Sequence, residues 1–454
     1  MALTILDSTV FGGLWASAEL APLFEEDRRI RGWLEILAVL AEVQGEYGLI
    51  PAEAAHAVAA ACRAVRVDPA FLEELRRGRE ASGHSTAGLL KAVAARCTGS
   101  TGEWVHFGAT VQDVTDTWMM STLREARRFF AVQLAGVDAA LTELAARYRD
   151  TLMLGRTHGQ EGLPITFGFK VAGWGAEVRR HLERLDEIGR RLEVGQLAGG
   201  VGSLSALGPR GLEIQASFCE RLGLAAPASS WTSSRDVVAE WGGLLTLFCG
   251  TADRIGHEVY NLQRGEIGEL GEALPAGVIG SITMPHKRNP EISEHLGTLS
   301  RVVRHQAACL FEGLVHDHER DGRSWKVEWQ VLPEITLLAG RAVELLAGLA
   351  RTLVLHPERM LRNLEATKGM VLSEALMLAL AARVGRETAH RLVSAAAQAA
   401  REQGLSLEQA ARASPELSAA LPEDELRGLF DYRRHTGQCG ALVDRYLGQA
   451  GSAP

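Results

Sequence analysis

Residues 113–148 read DVTDTWMMSTLREARRFFAVQLAGVDAALTELAARY and contain no proline and only one glycine, Gly136. Alanine, leucine, arginine and glutamate are frequent in this stretch, and these residues have the most favourable helix propensities. An average helix of a globular protein has about 11–12 residues. The stretch therefore predicts a single helix that is much longer than average.

Further stretches of the same character follow along the chain. They cover residues 166–197, 234–269, 290–316 and 333–354. Five long amphipathic segments in the middle of one chain favour a bundle of helices, so the fold class that we predict is all-α. Apolar residues at three- and four-residue steps predict another helix within residues 25–49. After His356-Pro357 the helical patterns become shorter, which indicates a small C-terminal domain.

The composition is that of an ordinary globular protein. Of the 454 residues, 46% are hydrophobic and 23% charged, and the net charge of -8 argues against a general nucleic-acid or acidic-membrane binder. The six cysteines show no C-x-x-C spacing, so reduced thiols are expected rather than a zinc site or a disulfide framework. The beginning MALTILDSTV lacks the features of a signal peptide, and no uninterrupted apolar run is long enough for a membrane span. We therefore expect a cytoplasmic protein.

The run Gly280-Ser-Ile-Thr-Met-Pro-His-Lys-Arg-Asn-Pro290 lies between two of the long helical stretches. Its two prolines and its leading glycine interrupt any helix, so it is predicted to be an irregular loop. Within this loop Ser281, Lys287 and Asn289 provide a hydroxyl, a cation and an amide. Most Gly/Pro-rich stretches are plain surface turns, but loops held by rigid elements are also where catalytic residues concentrate.

Three other segments carry polar side chains that the interior of a bundle does not need. In residues 105–117, Thr110 or Asp113 is expected to cap the longest helix, and a helix N-terminus also attracts anions. Residues 155–160 place a histidine in a glycine-bounded turn before the next helix, although a lone histidine is more often structural than catalytic. Residues 318–323, His-Glu-Arg-Asp-Gly-Arg, form a charged turn between helices.

Together these segments resemble the sequence blocks of the fumarase/aspartase superfamily. Residues 280–290 match its signature loop, Gly-Ser-Ser-x-Met-Pro-x-Lys-x-Asn-Pro, at every position except Ile282, where a second serine is usual. The likeness covers nearly the whole chain and includes residues 369–393. Within the superfamily the chain is similar to the branch that holds adenylosuccinate lyase and 3-carboxy-cis,cis-muconate cycloisomerase.

The resemblance implies three helical domains, which we place at 1–109, at 110–354 with the signature loop at 271–290, and at 355–454. It also implies a homotetramer in which each active site is built from three subunits, and long helices with wide apolar faces agree with this. The implied substrate is a small dicarboxylate. The resemblance implies no metal, no organic cofactor, no nucleic acid and no membrane partner.

Reactions of this family remove a proton next to a carboxylate, and the negative charge that develops needs a positioned base and cationic or N–H donors. By resemblance Ser281 is the base, with Lys287 beside it, and Lys287 and Asn289 bind the substrate carboxylate. The leaving group needs a proton donor. The resemblance assigns that part to His158, with Glu294 as the carboxylate that orients the imidazole.

The other residues that the resemblance assigns to substrate binding are Thr110, Gln112, Thr157, Met284, Arg235, Arg320 and His84. His84 is also the second candidate for the proton donor. Val111 stands where the family has a serine, so one hydroxyl contact to the substrate carboxylate is missing, a loss of about 1 kcal/mol or more unless another donor replaces it.

Two departures from adenylosuccinate lyases concern the nucleotide phosphate. Phe11 stands near the N-terminus where those enzymes usually carry an Arg-Tyr pair, and Trp325 and Trp329 follow the His-Glu-Arg-Asp block where they carry a serine and an arginine. Neither phenylalanine nor tryptophan can supply the bidentate cationic contact that phosphate favours. A compact substrate is therefore expected.

The sequence predicts a lyase that eliminates an amine or another nitrogen leaving group, such as nitrite, from a small succinyl or aspartate-type substrate to give fumarate. The alternatives are adenylosuccinate lyase and 3-carboxy-cis,cis-muconate cycloisomerase. Bacterial cycloisomerases typically lack the histidine and the glutamate that this chain has at His158 and Glu294. A non-catalytic structural paralogue is the alternative from another class, and the intact set of polar residues argues against it.

Overall fold

The computed structural model describes residues 4–275 and 277–449, so Ala276 of the predicted loop 271–290 lies outside the described residues. The α-helices in the described residues are α1 (Gly12–Trp15), α2 (Glu26–Glu46), α3 (Ala52–Ala64), α4 (Pro69–Ser82), α5 (Ala87–Ala94), α6 (Val111–Arg147), α7 (Phe167–Leu192), α8 (Gly211–Arg221), α9 (Asp236–Gln263), α10 (Glu291–Glu312), α11 (Gly322–Thr352), α12 (Pro357–Ala366), α13 (Ser373–Val384), α14 (Arg386–Gln403), α15 (Leu407–Ala413), α16 (Pro415–Ala420), α17 (Glu423–Leu429) and α18 (Cys439–Gly448). The all-α prediction is confirmed.

Strands are few and short in the described residues. They are β1 (Leu152–Thr157), β2 (Gln160–Thr166), β3 (Leu270–Gly271) and β4 (Val354–Leu355), paired antiparallel as β1 with β2 and β3 with β4. Short 3-10 turns lie at Ala21–Leu23, Thr101–Trp104, Ser205–Arg210, Met370–Leu372 and Tyr432–His435. The β1–β2 hairpin was not predicted from the sequence, which had placed a turn directly before a helix.

The five long helices are confirmed, with shifted ends. The helix α6 contains 37 residues and begins at Val111, because the Asp113 carboxylate accepts the backbone N–H of Thr110 at 2.8 Å and caps the first turn. The predictions that α7 reaches residue 197 and α9 residue 269 are wrong, since these helices end at Leu192 and Gln263.

The largest difference concerns α11, which begins at Gly322 rather than at Pro333. A proline inside a helix removes one backbone hydrogen bond, so a start at the proline was the simpler prediction. Buried side chains on both sides of this position, Trp325, Val331, Leu332 and Ile335, favour continuation of the helix through it.

The chain forms two compact units, each assembled from three segments. The first unit combines the residues up to Gln133 with His181–Gly250 and Thr298–Glu344. Its core contains an aromatic cluster in which the ring of Phe130 lies 5.8 Å from that of Trp241 and 5.6 Å from that of Phe248. The predicted three-domain division is not tested by this partition and stays a prediction.

The second unit combines Leu134–Arg180, Thr251–Gly297 and the residues from Leu345 onward. Its C-terminal helices enclose an aliphatic core. That core contains Leu376, Leu380, Leu392, Val393, Leu407, Leu417, Leu421 and Leu426. In the same unit the Tyr446 hydroxyl donates to Asp138 at 2.9 Å, and the Arg179 guanidinium lies 3.8 Å from the Tyr446 ring, so α18 is fixed to the rest of the unit.

Among the described residues, α6 is the one helix that is long and apolar enough to cross a membrane by length and composition alone. Core helices of folded domains pass the same test. Leu123, Phe130 and Leu134 of α6 are buried within the chain, which is the environment of a core helix.

Candidate active site

The signature loop is narrow at its base and open beyond it. The backbone N–H of Asn289 donates to the Gly280 carbonyl at 3.3 Å, and a Cβ atom at Gly280 would lie 2.8 Å from the Lys287 carbonyl oxygen. Only glycine fits this close approach of the two limbs. Next to this base, the Oγ atom of Ser281 accepts the backbone N–H of Met284 at 3.2 Å, which fixes the direction of the serine side chain.

The side chains of the loop face solvent. Ile282 is 96% exposed, and Met284 and Lys287 are exposed as well, whereas Ser281 and Asn289 are half-buried at the base. Within the described residues Lys287 forms no ion pair, so its ammonium group is available to an anionic ligand. The loop thus offers a hydroxyl, a cation and an amide around one short turn.

Two side chains hold the ends of the loop. The Glu272 carboxylate accepts the backbone N–H groups of Ile292 and Ser293 at 3.0 and 2.7 Å and so caps the N-terminus of α10. Gln263, the last residue of α9, accepts the Glu272 N–H at 2.7 Å and donates to the Arg288 carbonyl at 3.2 Å. The loop is therefore anchored where it enters and leaves, and Glu294 lies in the first turn of the helix that follows.

His158 lies at the tip of the β1–β2 hairpin. It has φ of +54°, Gly159 has φ of +73°, and the flanking residues Thr157 and Gln160 are paired, which together define a two-residue type I′ turn. Positive φ is uncommon outside glycine, and histidine, asparagine and aspartate adopt it more readily than most residues. The turn presents the imidazole and the Thr157 side chain to solvent.

A buried ion pair fixes the strand that leads to this turn. The Arg156 guanidinium forms two hydrogen bonds with the Glu269 carboxylate, at 2.7 and 3.0 Å, and Glu269 is fully buried. Asn363 donates to the same carboxylate at 2.8 Å. Bidentate geometry makes this contact directional, so β1 has little freedom two residues before His158.

In the first unit, several predicted residues surround one cavity of about 440 Å³. His84, Thr110, Gln112 and Arg320 all line it. The Arg320 guanidinium is half-buried and donates to Thr110 Oγ1 at 2.8 Å and to the Gly199 carbonyl at 3.2 Å. The volume lies in the range of small-molecule sites, about 300–1,000 Å³.

The buried Asp113 organises the wall behind Arg320. Besides capping α6, its carboxylate accepts the backbone N–H groups of Ala198 and Gly199 at 2.9 and 3.0 Å. Burial raises the pKa of Asp113 to about 6, and these N–H donors act in the opposite direction. Asp113 therefore ties the start of α6 to the glycine-rich segment that also carries the carbonyl bound by Arg320.

A family model described as "Lyase" matches residues 17–304, and a model described as "Adenylosuccinate lyase C-terminus" matches residues 369–446. The chain is 36% identical, over 98% of its own length and 98% of the other, to an N-acetyl-S-(2-succino)cysteine lyase of Dickeya dadantii. It is 37% identical, over 97% and 96%, to a 3-carboxy-cis,cis-muconate cycloisomerase of Pseudomonas aeruginosa. Among solved structures, a fumarate lyase from Mesorhizobium sp. BNC1 matches with a TM-score of 0.88 and 33% identity, over 95% of this chain and 98% of that one.

The chain belongs to the fumarase/aspartase superfamily of lyases. The resemblance inferred from residues 280–290 is thus confirmed, including its adenylosuccinate lyase and muconate cycloisomerase branch. The nitrogen leaving group is not confirmed, because the relative from Dickeya dadantii is named for a sulfur compound.

Arg235 of this lyase does not have the surroundings expected of a substrate-binding residue. It is 2% exposed, and its guanidinium donates to Asp116 and Glu328, with distances of 2.7 Å to each. The indole N–H of Trp325 and the amide of Gln112 donate to the same Asp116 carboxylate at 2.9 and 3.0 Å. These contacts indicate that Arg235 has a structural role in the first unit. The sequence could not reveal it, because its partners lie far away along the chain.

The predicted site residues fall into two groups within the lyase. Those in the second unit are Ser281, Met284, Lys287, Asn289, Thr157, His158 and Glu294, and those in the first unit are His84, Thr110, Gln112, Arg235 and Arg320. Sequence reasoning missed the anchors Glu269 and Glu272 and the cavity residue Lys326. The local sequence does not distinguish Glu269 and Glu272 from the neighbouring Glu266, because only tertiary contacts identify their partners. Among the described residues, no cluster of three His, Cys, Asp or Glu side chains is arranged to hold a metal ion.

Proposed function

We propose that this lyase releases fumarate from a small 2-substituted succinate by β-elimination. The observation that carries the proposal is the signature loop, in which Ser281, Lys287 and Asn289 surround one short, anchored turn. The relative named for a succinyl thioether supports it, since cleavage of the bond between a succinyl carbon and a heteroatom generates fumarate.

In the proposed mechanism, Ser281 as the alkoxide takes the proton from the carbon next to one carboxylate. The Lys287 ammonium stabilises the alkoxide, and Lys287 and Asn289 bind the carboxylate on which negative charge develops. The electron pair of the C–H bond forms the double bond of fumarate, and the bond to the leaving heteroatom breaks. His158 gives its proton to that heteroatom, and Glu294 keeps the imidazole oriented and protonated.

Both sulfur and nitrogen fit this scheme, and they differ in how much they need the acid. A thiolate leaves as a moderately stable anion, whereas an amine must be protonated before it can leave. The presence of His158 therefore supports the nitrogen leaving group that the sequence predicts, and the named relative supports sulfur. We place a succinyl thioether first and an N-substituted aspartate second.

The assembly that we propose is a homotetramer with shared active sites. Long helices with exposed apolar side chains support it, including Val132 of α6, which is 70% exposed, and Leu247 of α9, which is 50% exposed. Light scattering at micromolar concentration tests the assembly, and a monomeric mass would contradict it.

Adenylosuccinate is a poor candidate substrate. Trp325 is buried and its indole N–H is occupied by Asp116, and Trp329 packs between Trp325 and Trp33, with ring centroids 5.3 and 6.0 Å apart. Phe11, at the position where adenylosuccinate lyases usually carry an Arg-Tyr pair, provides no cationic group for the phosphate. These three positions provide no cationic partner, and a phosphate dianion that leaves water without one loses several kcal/mol. A small succinyl compound should therefore exceed adenylosuccinate in kcat/KM by at least about a hundredfold.

The test uses a matched pair of substrates that differ only in the leaving atom. These are 2-(carboxymethylthio)succinate and N-(carboxymethyl)aspartate, with nitrosuccinate, adenylosuccinate and 3-carboxy-cis,cis-muconate as comparisons. Appearance of fumarate, followed by its ultraviolet absorbance, identifies the class. Turnover of the muconate alone would assign the chain to the cycloisomerases. Efficient turnover of adenylosuccinate would identify it as an adenylosuccinate lyase. A non-catalytic paralogue is favoured if none of these compounds is converted and if thiols, amines, ammonia and nitrite are not added to fumarate in the reverse reaction.

A further inference from the structure

We propose that Glu269 is a positioning residue for the proton donor: through Arg156 it holds the β1–β2 hairpin in the place from which His158 protonates the leaving atom. The inference rests on the proposed function and adds to it a residue that acts through another side chain. Its consequence is specific. Loss of Glu269 should slow protonation of the leaving atom more than it slows removal of the proton by Ser281.

The outer half of the hairpin, residues 155–163, has few contacts to hold it. None of these residues is buried, whereas Leu154 and Pro164 at the base are. The pairing of the strands shifts between Leu154 and Arg156, and a Cβ atom at Gly155 would lie 2.8 Å from a carbonyl oxygen of β2. The two strands thus approach each other closely at a position without a side chain. A two-stranded hairpin of this kind is only marginally stable in water unless other contacts support it.

Arg156 provides the side-chain anchor of this outer half. Among residues 155–163 it is the one whose side chain forms hydrogen bonds within the described part of the chain, and two of these bonds go to the carboxylate of Glu269. The Glu269 side chain is fully buried, and that of Arg156 is 22% exposed. Because a strand rises about 3.3 Å per residue, this anchor lies about 7 Å from the backbone of His158. A catalytic group displaced by about 1 Å can lose about a hundredfold in rate.

Glu269 is itself fixed from two directions within the second unit. The Asn363 amide in α12 donates to its carboxylate and to the Ile267 carbonyl, both at 2.8 Å. The backbone N–H of Glu269 donates to the Leu262 carbonyl at 2.9 Å, and the Glu269 carbonyl accepts the backbone N–H of His356 at 3.0 Å. The carboxylate therefore has a defined position before it binds the guanidinium, as a support for the hairpin requires.

Glu272, three residues further along the chain, is a matched control. Its carboxylate accepts the backbone N–H groups of Ile292 and Ser293 at 3.0 and 2.7 Å, so it holds the end of the loop that carries Ser281. Among the described residues it forms no hydrogen bond with the hairpin. Replacement of either glutamate by glutamine removes one negative charge and keeps the size of the side chain. One substitution should therefore weaken the acid, and the other the base.

The values of kcat/KM for 2-(carboxymethylthio)succinate and N-(carboxymethyl)aspartate test this difference. Glu269→Gln should lower the value for the amine substrate by about tenfold and that for the thioether by about threefold or less, because the amine needs the proton more. Glu272→Gln should lower both values by the same factor. If the wild-type chain converts only one of the two classes, two substrates of that class whose leaving groups differ in pKa replace the pair.

Arg156→Lys keeps the positive charge and loses the bidentate contact, so it should change the ratio of the two kcat/KM values in the same direction as Glu269→Gln, by a smaller factor. It provides the result if Glu269→Gln does not fold. Equal losses for both substrates in these variants overturn the inference, because a residue that supports only the fold lowers both rates alike.

The background variant His158→Asn provides a second test, because a positioning residue has no effect on proton transfer once the group that it positions is absent. In this background Glu269→Gln should leave the ratio of the two kcat/KM values unchanged within about 1.5-fold. A change of the ratio as large as in the single variant would show that Glu269 does not act through His158, and it would overturn the inference.

Hydrogen exchange separates this inference from the proposed function, because it requires no turnover. Glu269→Gln should speed exchange of the backbone amides in residues 152–166 by about tenfold, and Glu272→Gln should leave it unchanged. If the wild-type chain converts neither substrate while this exchange is observed, the proposed reaction is rejected and the anchoring of His158 stands. If the wild-type chain converts both substrates while neither the exchange nor the ratio changes in Glu269→Gln, the function stands and the inference is rejected.

Discussion

The buried cluster around Arg235 and the exposed loop around Ser281 use similar polar groups for opposite purposes. In the cluster, Arg235, Asp116 and Glu328 are at most 4% exposed and bonded to one another. In the loop, Lys287 is exposed and forms no ion pair within the described residues, and Ser281 bonds only to a backbone N–H. Polar groups that satisfy each other stabilise the fold, whereas polar groups held in place without a partner are available to a ligand.

Both regions are held in place, so their different surroundings do not reflect a difference in rigidity. The loop is fixed at its ends by Glu272 and Gln263, just as the cluster is fixed throughout. What differs is whether the charged atoms have partners. Substitutions in the cluster should therefore lower stability, and substitutions in the loop should lower activity and leave stability nearly unchanged.

The largest effect should come from Ser281→Ala. Removing the proposed base should reduce kcat by about 10³-fold or more, as loss of an essential proton-transfer group does. The free energy of unfolding should stay within about 0.5 kcal/mol of the wild-type value, because no buried contact is lost. Steady-state kinetics and denaturant unfolding measure the two quantities. Thr283→Ala in the same loop is the control, and a folded Ser281→Ala enzyme with near-normal activity would remove Ser281 from the mechanism.

The next largest effect should come from Arg235→Met, and it should be an effect on stability. The substitution leaves Asp116 and Glu328 buried without their cation, which costs about 3–5 kcal/mol of unfolding free energy. Arg77→Met, at an exposed arginine, should change stability by less than about 0.5 kcal/mol. A loss below about 1 kcal/mol for Arg235→Met would show that the buried cluster does not stabilise the first unit.

An intermediate effect is expected for His158→Asn, which removes the acid and keeps a residue that tolerates positive φ. Elimination of an amine should slow by about a hundredfold, and elimination of a thiol by about tenfold or less, because an amine needs the proton more. The pair of carboxymethyl substrates measures this ratio. Equal losses for both would mean that His158 does not protonate the leaving atom.

The smallest effect should come from Ile282→Ser, which restores the residue that is usual in the signature loop. The Ile282 side chain is 96% exposed, so the free energy of unfolding should stay within about 0.5 kcal/mol of the wild-type value. Denaturant unfolding measures it. A larger loss would show that the loop packs against another subunit, and dilution below the assembly concentration would distinguish that case.

Helices were predictable from the sequence where local information suffices. Residues 113–148 indicated α6 because propensity and the absence of proline act within the segment itself. The start of α11 was missed because a proline is a strong local signal, and only the buried residues around Pro333 outweigh it. The β1–β2 hairpin was missed because its strands of 6 and 7 residues directly precede a strong helical pattern.

The candidate site was predictable to the extent that its residues are contiguous. Ser281, Lys287 and Asn289 share one motif, so their proximity follows from the sequence. Arg235 was assigned to substrate binding because a sequence does not show that its partners come from α6 and α11. Lys326 was missed for the same reason. A lysine on a helix is usually solvated, and the sequence does not show that this one lines a cavity.

The type I′ turn at His158 limits how this position can vary during evolution. A left-handed backbone conformation disfavours β-branched and bulky residues, so most single substitutions there disturb the hairpin as well as the chemistry. The accessible replacements are mainly glycine, asparagine and aspartate, and of these only aspartate can still donate a proton. A substitution at His158 is therefore expected to affect the conformation of the hairpin as well as the proton transfer that we propose for this side chain.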